Sequence, residues 1–320
     1  MLTILGLILP LFGLILLGFV GARLSRQPIE ALGWLNTFIL YFALPALFYK
    51  LLSSTPIDQL ANWRFIATNL GVTLTVFLVT LVLAMTPPGR NLAESTVQAL
   101  AAAYGNIGYM GPALAILAFG ETAAIPVAII FCFENVLHFA LAPTLMAMAG
   151  GQPTGVLRLS IEIIKRIATH PLMLATAVGV LAAAAEFSAP EPLGRLIDYL
   201  AQAAAPCALF AMGVTLALRP LRRVPLALGY IVPMKLVAHP LLMYLGLSYF
   251  GNFDGQWVFV AVLLASLPTA TNVFVIAQQY GVWLERASAC VLVSTSASVF
   301  TVAALLYGIT TGAIPPDLFP

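Results

Sequence analysis

Charged residues are scarce in this sequence. Only 8% of its 320 residues are Asp, Glu, Lys or Arg, and the net charge is +2, whereas soluble domains carry about 25% charged residues. Basic runs, a glycine-rich phosphate loop and low-complexity segments are also missing, so nothing supports nucleic-acid binding. These absences exclude an ordinary soluble domain.

Cysteine is rare as well. Cys132, Cys207 and Cys290 lie in apolar stretches at unrelated spacings, a pattern that predicts neither a disulfide framework nor a metal site. We expect them to pack as small apolar side chains. No nucleophile has a recognisable base and no cofactor fingerprint occurs, so we expect no enzyme activity, no catalytic residues, no metal and no cofactor.

Apolar residues dominate instead. They make up 61% of the chain, the mean hydropathy is +1.01, and stretches of about 20 apolar residues, the length that spans a bilayer, recur throughout. The sequence therefore predicts an all-α integral membrane protein with ten transmembrane helices. We assign them to residues 2–22, 31–52, 65–85, 95–119, 123–147, 169–187, 194–217, 225–249, 257–280 and 287–311.

The basic residues predict the orientation of these helices. Loops that follow odd-numbered spans hold most of them, and such loops face the cytoplasm under the positive-inside rule. These residues are Arg23, Arg26, Arg90, Arg158, Lys165, Arg166, Arg219, Arg222, Arg223 and Arg286, against Lys50, Arg64 and Arg195 after even-numbered spans. The bias predicts that both termini lie outside.

A segment that begins with Gly and Pro residues divides the chain. We interpret residues 148–158 as a cytoplasmic linker between a first five-helix repeat at 1–147 and a second at 159–320. Because five is an odd number, a duplicated second half must be inverted in the membrane. The sequence ALPALF at residues 43–48, in the second span, also echoes APCALF at residues 205–210, in the seventh.

The fourth predicted span is interrupted by residues that break helices. Residues 103–112 read AYGNIGYMGP, with Asn106 between glycines and Gly111 before Pro112. Proline lacks an N–H and clashes with the carbonyl one turn back, and backbone groups freed inside a bilayer need protein or a watery cavity around them. The segment is either a substrate site, in which the Asn106 amide contacts a polar group, or a kinked packing face of small residues.

The ninth predicted span, at the equivalent position of the second half, is interrupted too. Residues 266–272 read SLPTATN, so that Pro268, Thr269, Thr271 and Asn272 follow one another at membrane depth. The threonines could simply return hydrogen bonds to carbonyls of their own helix. Two broken helices in equivalent positions nevertheless favour a transporter site, where the half-helix N-termini present positive dipole ends to an anion.

Three ionisable residues lie near the middle of predicted spans. Glu134 and His138 are four residues apart on the fifth span and so share a face, and Lys235 lies in the eighth. Intramembrane charges mark function or pairing. The three residues are therefore candidates for proton or ion coupling, and the alternative is a Glu134–Lys235 ion pair that only fixes packing.

The motifs at the two breaks resemble those of the auxin efflux carrier family, in its bacterial branch. The resemblance lies in NIGYMGP at residues 106–112, in LPTATNVFVIAQQYG at residues 267–281 and in LPALF at residues 44–48, and it covers essentially the whole chain. Plant PIN-type auxin carriers and bacterial malonate or malate permease-like proteins belong to this family.

The resemblance implies a bile acid–sodium symporter-like fold of two inverted five-helix repeats, in which the broken helices 4 and 9 cross near the middle of the membrane. Helices 1, 2, 6 and 7 would form a scaffold and helices 3–5 and 8–10 a moving transport domain, in a homodimer in the bacterial cytoplasmic (inner) membrane. The implied activity is secondary transport of small organic anions by an elevator mechanism. The substrate-binding candidates are Asn106, Gly111, Pro112, Pro268, Thr269, Thr271 and Asn272.

The sequence departs from the plant carriers in two ways. Those carriers pair Asn directly with Pro at both breaks, whereas here Asn106 and Pro112 are separated and Pro268 precedes Asn272. A long cytoplasmic loop is replaced by the short linker, so carboxylates or dicarboxylates are better substrate candidates than auxin itself. A sodium-coupled bile-acid-type symporter and a non-transporting membrane receptor or sensor on the same fold remain alternatives.

Overall fold

The computed structural model describes residues 2–56, 62–86, 91–150, 156–218 and 225–318. Within these ranges the regular structure is helical and contains no β-strand. In chain order the helices are α1 (Leu2–Ser25), α2 (Ile29–Ser53), α3 (Trp63–Met85), α4 (Leu92–Ala103), α5 (Gly111–Phe119), α6 (Glu121–Ala149), α7 (Val156–Thr169), α8 (Pro171–Ala184), α9 (Glu191–Leu218), α10 (Leu228–Phe250), α11 (Gly255–Ser266), α12 (Thr271–Tyr280) and α13 (Leu284–Thr310).

Six helices in the described ranges are long and apolar enough to cross a membrane: α2, α3, α6, α9, α10 and α13. A seventh span results if α7 and α8, which are bent by 65° at a short break, count as one. The fourth and ninth predicted spans each consist of two shorter helices, α4 with α5 and α11 with α12. The chain is thus a multi-pass membrane protein, and the total of ten spans stays a prediction.

Helix α3 shows how these helices fit a bilayer. It buries the polar side chains of Asn69, Thr73 and Thr80, whereas Leu78 and Val82 are 47% and 64% exposed. This arrangement is the reverse of that in a soluble helix, in which apolar residues face the core. Hydrocarbon is the solvent that suits such an exterior, because it accepts apolar side chains and offers no hydrogen bonds to polar ones.

Several prolines lie inside helices that continue past them. Pro10, Pro143 and Pro206 lie within α1, α6 and α9. Two others follow wide π-helical turns, Ile39–Ala43 before Pro45 in α2 and Met234–Ala238 before Pro240 in α10. Local π-helical adjustments of this kind satisfy the backbone groups that a proline frees in a membrane helix, so a proline by itself does not end a helix in this protein.

Helix α7 lies where the sequence analysis placed part of the linker and the loop before the sixth span. The sequence predicts a linker at residues 148–158 and no helix between it and residue 169, but apolar residues at helical spacing form a strongly amphipathic helix there. The middle of the predicted linker, residues 151–155, lies outside the described ranges. So do four basic residues used to predict orientation, Arg90, Arg219, Arg222 and Arg223.

The chain divides into two compact units. Unit 1 comprises residues 1–62, 108–132 and 168–220, and unit 2 comprises residues 63–107, 133–167 and 221–320. Unit 1 therefore holds α1, α2, α5, α8 and α9, and unit 2 holds α3, α4, most of α7 and α10 to α13. Helix α6 contributes its first part to unit 1 and the rest to unit 2.

Unit 1 is held together by close packing of α1 on α9. A Cβ atom on Gly18 would lie 2.1 Å from the carbonyl oxygen of Phe210, and one on Gly213 would lie 1.9 Å from that of Ile15. Only glycine permits backbones to approach so closely. Small residues at such interfaces are typical of helix pairs in membranes.

Unit 2 surrounds α4. Every residue of that helix from Ser95 to Ala103 is buried, and Val97 and Leu100 pack in a core with Val76, Ile231 and Val273. A short helix enclosed on all sides has its C-terminal end inside the protein. That end leads directly into the first interruption.

Candidate functional site

The two interrupted segments of unit 2 are hydrogen-bonded to each other. The backbone N–H of Asn106 donates to the carbonyl of Pro268 (2.8 Å), and the N–H of Ala270 donates to the carbonyl of Tyr104 (2.9 Å). Gly105 and Thr269 thereby form an antiparallel bridge. Backbone groups that leave the helices at the two breaks thus satisfy each other, as a buried non-helical backbone requires.

The end of α4 is capped by the second interruption. The Thr269 hydroxyl donates to the carbonyl of Ala101 (2.7 Å), one of the last four carbonyls of α4, which have no partner within the helix. The Thr269 N–H donates to the Ser294 hydroxyl of α13 (3.1 Å). Thr269 is fully buried, so its polar groups hold the breaks together.

The end of α11 is capped by a charge. The ammonium of Lys235 donates to the carbonyl of Ala265 (2.6 Å), in the last turn of α11. A helix C-terminus carries a partial negative charge, so a cation is stabilised there. Lys235 has no exposed surface, and it lies in the π-helical turn of α10.

Lys235 is connected to Glu134 by a chain of hydrogen bonds. Its ammonium donates to Nδ1 of His239 (3.1 Å), so the other nitrogen of that ring, Nε2, carries the proton and donates to the Thr73 hydroxyl (3.3 Å). Thr73 in turn donates to Oε1 of Glu134 (3.0 Å). All four residues are buried. In the described part of the chain the ammonium and the carboxylate make no direct ion pair; Thr73 and His239 stand between them.

A second group of side chains surrounds Tyr104, which follows α4. The Tyr104 hydroxyl donates to Oδ1 of Asn135 and accepts a hydrogen bond from Nδ2 of Asn272 (2.9 Å). Its ring stacks on that of His138, with centroids 4.1 Å apart and planes 4° from parallel. Nδ1 of His138 donates to the backbone carbonyl of Glu134 (2.7 Å). Tyr104 therefore links the second interruption to α6.

Comparison with known proteins identifies the family. Residues 3–306 match the family described as membrane transport protein. The chain belongs to this family. This membership confirms the family that the motifs at residues 106–112 and 267–281 indicated.

Relatives of this transporter cover nearly its whole length. A protein of Rhizobium meliloti named "Putative malonate transporter" is 61% identical over 320 residues, which are 100% of both chains. A protein of Methanothermobacter thermautotrophicus named "Uncharacterized transporter" is 25% identical over 91% of this chain and 94% of its own. The Escherichia coli "Uncharacterized transporter YfdV" is 24% identical over 94% of this chain and 96% of its own.

The predicted substrate-binding residues of the transporter fall into two groups. Asn106, Pro268, Thr269, Thr271 and Asn272 belong to unit 2 and lie at the paired breaks. Asn106, Pro268 and Thr269 are buried, whereas Thr271 and Asn272 in the first turn of α12 are half-buried. In the described part of the chain Thr271 makes no side-chain hydrogen bond.

The other two predicted residues, Gly111 and Pro112, belong to unit 1. They form the first turn of α5. Pro112 lines a cavity of about 430 Å³ within unit 1, which is mainly apolar and also bordered by Lys50, Glu121 and Gln202. Gly111 and Pro112 thus belong to a different unit from the residues at the paired breaks.

The sequence analysis missed Tyr104, Asn135, Thr73 and His239 of the transporter. In the sequence His239 precedes a proline, a position that favours a structural role, and the other three residues carry no signal that distinguishes them from neighbouring packing residues. One group near this site is unsatisfied: Nε2 of His138 is buried without a hydrogen-bond partner among the described residues. A buried polar atom without a partner calls for a physical reason.

Groups of three or more His, Cys, Asp or Glu arranged to hold a metal do not occur in the described part.

Proposed function

We propose that this protein is a secondary transporter of small organic anions, with dicarboxylates such as malonate as the first candidates. The observation that carries the proposal is the pairing of the two breaks, which leaves the first turn of α12 half-buried beside a set of buried polar groups. The name of the relative with 61% identity supports malonate as the substrate to test first.

The first turn of α12 has the chemistry that a carboxylate needs. The first N–H groups of a helix have no partner one turn back, and a helix N-terminus attracts negative charge. In α12 the N–H of Val273 is bonded to the carbonyl of Ala270, so the N–H groups of Thr271 and Asn272 are the ones proposed to meet the carboxylate. Thr271 adds a hydroxyl donor. Asn272 has two amide hydrogens, of which one is required by Tyr104, so the second can donate to the substrate. Asn106 and Pro268 then act mainly by fixing the backbone that carries this turn.

The proposed mechanism is an elevator movement in a crossed, inverted-repeat fold. Two interrupted spans in equivalent halves of the chain support the crossover, since such pairs line the central site of many transporters. The division into two units supports separate scaffold and transport parts in part. The predicted scaffold helices 1, 2, 6 and 7 all fall in unit 1, but so do α5 and the first part of α6, which belong to the predicted transport helices 4 and 5. The predicted homodimer and the outside location of both termini belong to the same proposal.

Glu134, His138 and Lys235 are proposed to couple transport to protons or ions. The hydrogen-bond chain from Lys235 to Glu134 supports this role, because all of its members are buried and two of them carry exchangeable charge. His138 adds a nitrogen with no partner in the described part of the chain. A change in protonation at Glu134 would reach the end of α11 through Thr73 and His239.

Malonate counterflow in proteoliposomes tests the proposal. We expect exchange with the wild-type protein, and we expect Asn272→Ala to raise the KM by about tenfold or more, since a hydrogen bond to a charged group contributes about 1.5–3 kcal/mol. Gln278→Ala is the matched control, because Gln278 is an exposed amide on the same helix. Binding of dicarboxylates without counterflow would point to a receptor, and wild-type kinetics in Asn272→Ala would remove Asn272 from the site.

A further inference from the structure

The contacts of Lys235 resemble those of a coupling ion rather than those of an ordinary salt bridge. Its ammonium lies 2.6 Å from the carbonyl oxygen of Ala265, at the C-terminal end of the broken helix α11. In transporters with broken helices, unwound carbonyls and half-helix C-termini coordinate Na⁺. Here a covalently attached cation takes the same kind of ligand.

We infer that Lys235 is a tethered cation that replaces a coupling metal ion at the paired breaks and holds the end of α11 in position. Lys235 is thus a positioning residue, and substrate binding and transport do not need Na⁺. The inference rests on the proposed transport function only where uptake is concerned. The role of the ammonium in holding α11 can be measured without any substrate.

The space around the ammonium leaves little room for a metal ion. A Cβ atom added to Gly105 would lie 3.2 Å from Nζ of Lys235 and 3.2 Å from the carbonyl oxygen of Leu264. The first break therefore passes directly against both the ammonium and the end of α11. A metal ion at this point would meet a positive charge at close range, which is unfavourable inside a protein.

The surrounding charges complete the site. Facing Lys235 from its own helix is His239, which accepts from the ammonium. Glu134 on α6 supplies the compensating negative charge through Thr73 on α3, and His138, one turn further along α6, donates from Nδ1 to the backbone of Glu134. A buried cation needs a compensating charge and hydrogen bonds. Here Ala265 and His239 accept hydrogen bonds from the ammonium, and Glu134 supplies the negative charge at the other end of the chain through His239 and Thr73.

Chemical rescue of a truncated lysine tests the inference. Lys235→Ala removes the four atoms from Cγ to Nζ, and n-propylammonium supplies the same atoms. We would measure the thermal unfolding midpoint of purified protein in detergent, at constant ionic strength, with n-propylammonium, neutral n-propanol, Na⁺ or choline. Leu236→Ala is the matched control, because it opens a cavity at a buried neighbour without removing charge.

We expect Lys235→Ala to lower the midpoint by on the order of 10 °C, as loss of a buried charge partner does, and n-propylammonium to restore it in a saturable manner. Propanol should restore neither variant, and n-propylammonium should leave Leu236→Ala unchanged. Equal rescue by propanol would overturn the inference. So would a Lys235→Met variant with the wild-type midpoint and wild-type uptake.

The wild-type protein provides a second test that needs no variant. We expect its midpoint to be the same in Na⁺ and in choline, and its uptake of malonate to be unaffected by the exchange. A clear rise with Na⁺ would show a metal site that the inference excludes, even if Lys235→Ala fails to fold. If no organic anion is transported, the proposed function fails, and the amine rescue still decides the role of Lys235.

Discussion

The hydroxyl of Tyr104 lies between the amides of Asn135 and Asn272, donating to the first and accepting from the second. These residues belong to the segment after α4, to α6 and to α12. A single phenol therefore orients the Asn272 amide, the half-buried group that we propose to contact the substrate. Because the hydroxyl accepts from Nδ2, it holds the nitrogen end of the Asn272 amide toward the phenol.

Tyr104→Phe should disturb both stability and substrate binding. The change removes the hydroxyl that donates to Oδ1 of Asn135 and accepts from Nδ2 of Asn272, which should cost about 1–3 kcal/mol in the free energy of unfolding. We expect a lower unfolding midpoint and a higher KM for malonate. Tyr199→Phe is the control, because Tyr199 is 73% exposed; equal behaviour of the two variants would refute the role of the hydroxyl.

Gly105→Ala should damage the paired breaks. The added Cβ would lie within 3.2 Å of both Nζ of Lys235 and the carbonyl oxygen of Leu264, and overpacking of this kind costs about 1–3 kcal/mol. We expect a lower unfolding midpoint and reduced uptake. At Gly71, in α3, an added Cβ meets nothing within 4 Å, so Gly71→Ala should match the wild type or exceed it slightly, because alanine favours the helix by up to about 1 kcal/mol.

A wild-type midpoint in Gly105→Ala would mean that the segment after α4 can move away from Lys235 at little cost. Uptake measured on the same preparation separates this possibility from a purely local effect. If the unfolding midpoint of Gly105→Ala equals that of the wild type and uptake falls, the close approach of Gly105 to Lys235 matters for movement rather than for folding.

The positions of the two interruptions could be predicted from the sequence, but not from proline alone. Pro10, Pro143 and Pro206 lie in continuous helices, whereas the segments that contain Asn106 and Pro268 leave the helix. The difference lies in the residues around the proline: glycines and Asn106 accompany Pro112 in the first broken segment, and several hydrogen-bonding side chains accompany Pro268 in the second. Sequence shows these companions directly, and the family resemblance depends on the same residues.

The partners of the site residues could not be predicted, because they are separated widely along the chain. The Thr269 hydroxyl bonds to Ala101, and Lys235 bonds to Ala265. Nothing local distinguishes Thr269 from Thr271, although one is buried and the other half-buried. The sequence predicts an ion pair between Glu134 and Lys235 equally well, but in the structure His239 and Thr73 lie between them.

The two threonines of the second break should therefore respond differently to the same substitution. Thr269→Val removes the donor to the Ala101 carbonyl, and a buried acceptor left unsatisfied costs about 1–3 kcal/mol, so the unfolding midpoint should fall. Thr271→Val removes a half-buried hydroxyl that has no partner in the described part of the chain, so the midpoint should stay close to that of the wild type while the KM for malonate rises. Thr269→Ser, which keeps the hydroxyl, is the control for the first change. A fall in midpoint in Thr271→Val, with unchanged KM, would contradict the assignment.

Glu134→Gln should separate coupling from substrate exchange. The amide keeps an oxygen that can accept from Thr73, so the hydrogen-bond chain to Lys235 persists. The residue loses the negative charge that compensates Lys235 and can no longer change its protonation, so the unfolding midpoint should fall. If Glu134 carries the coupling proton, malonate counterflow without a gradient should continue, whereas accumulation driven by a pH gradient should be lost. Glu121→Gln is the control, because Glu121 is an exposed carboxylate at the start of the same helix. If Glu134→Gln still accumulates malonate in response to a pH gradient, this carboxylate is excluded from coupling. If the wild-type protein never responds to a pH gradient, it is a uniporter in which the charges of Glu134 and Lys235 stay fixed.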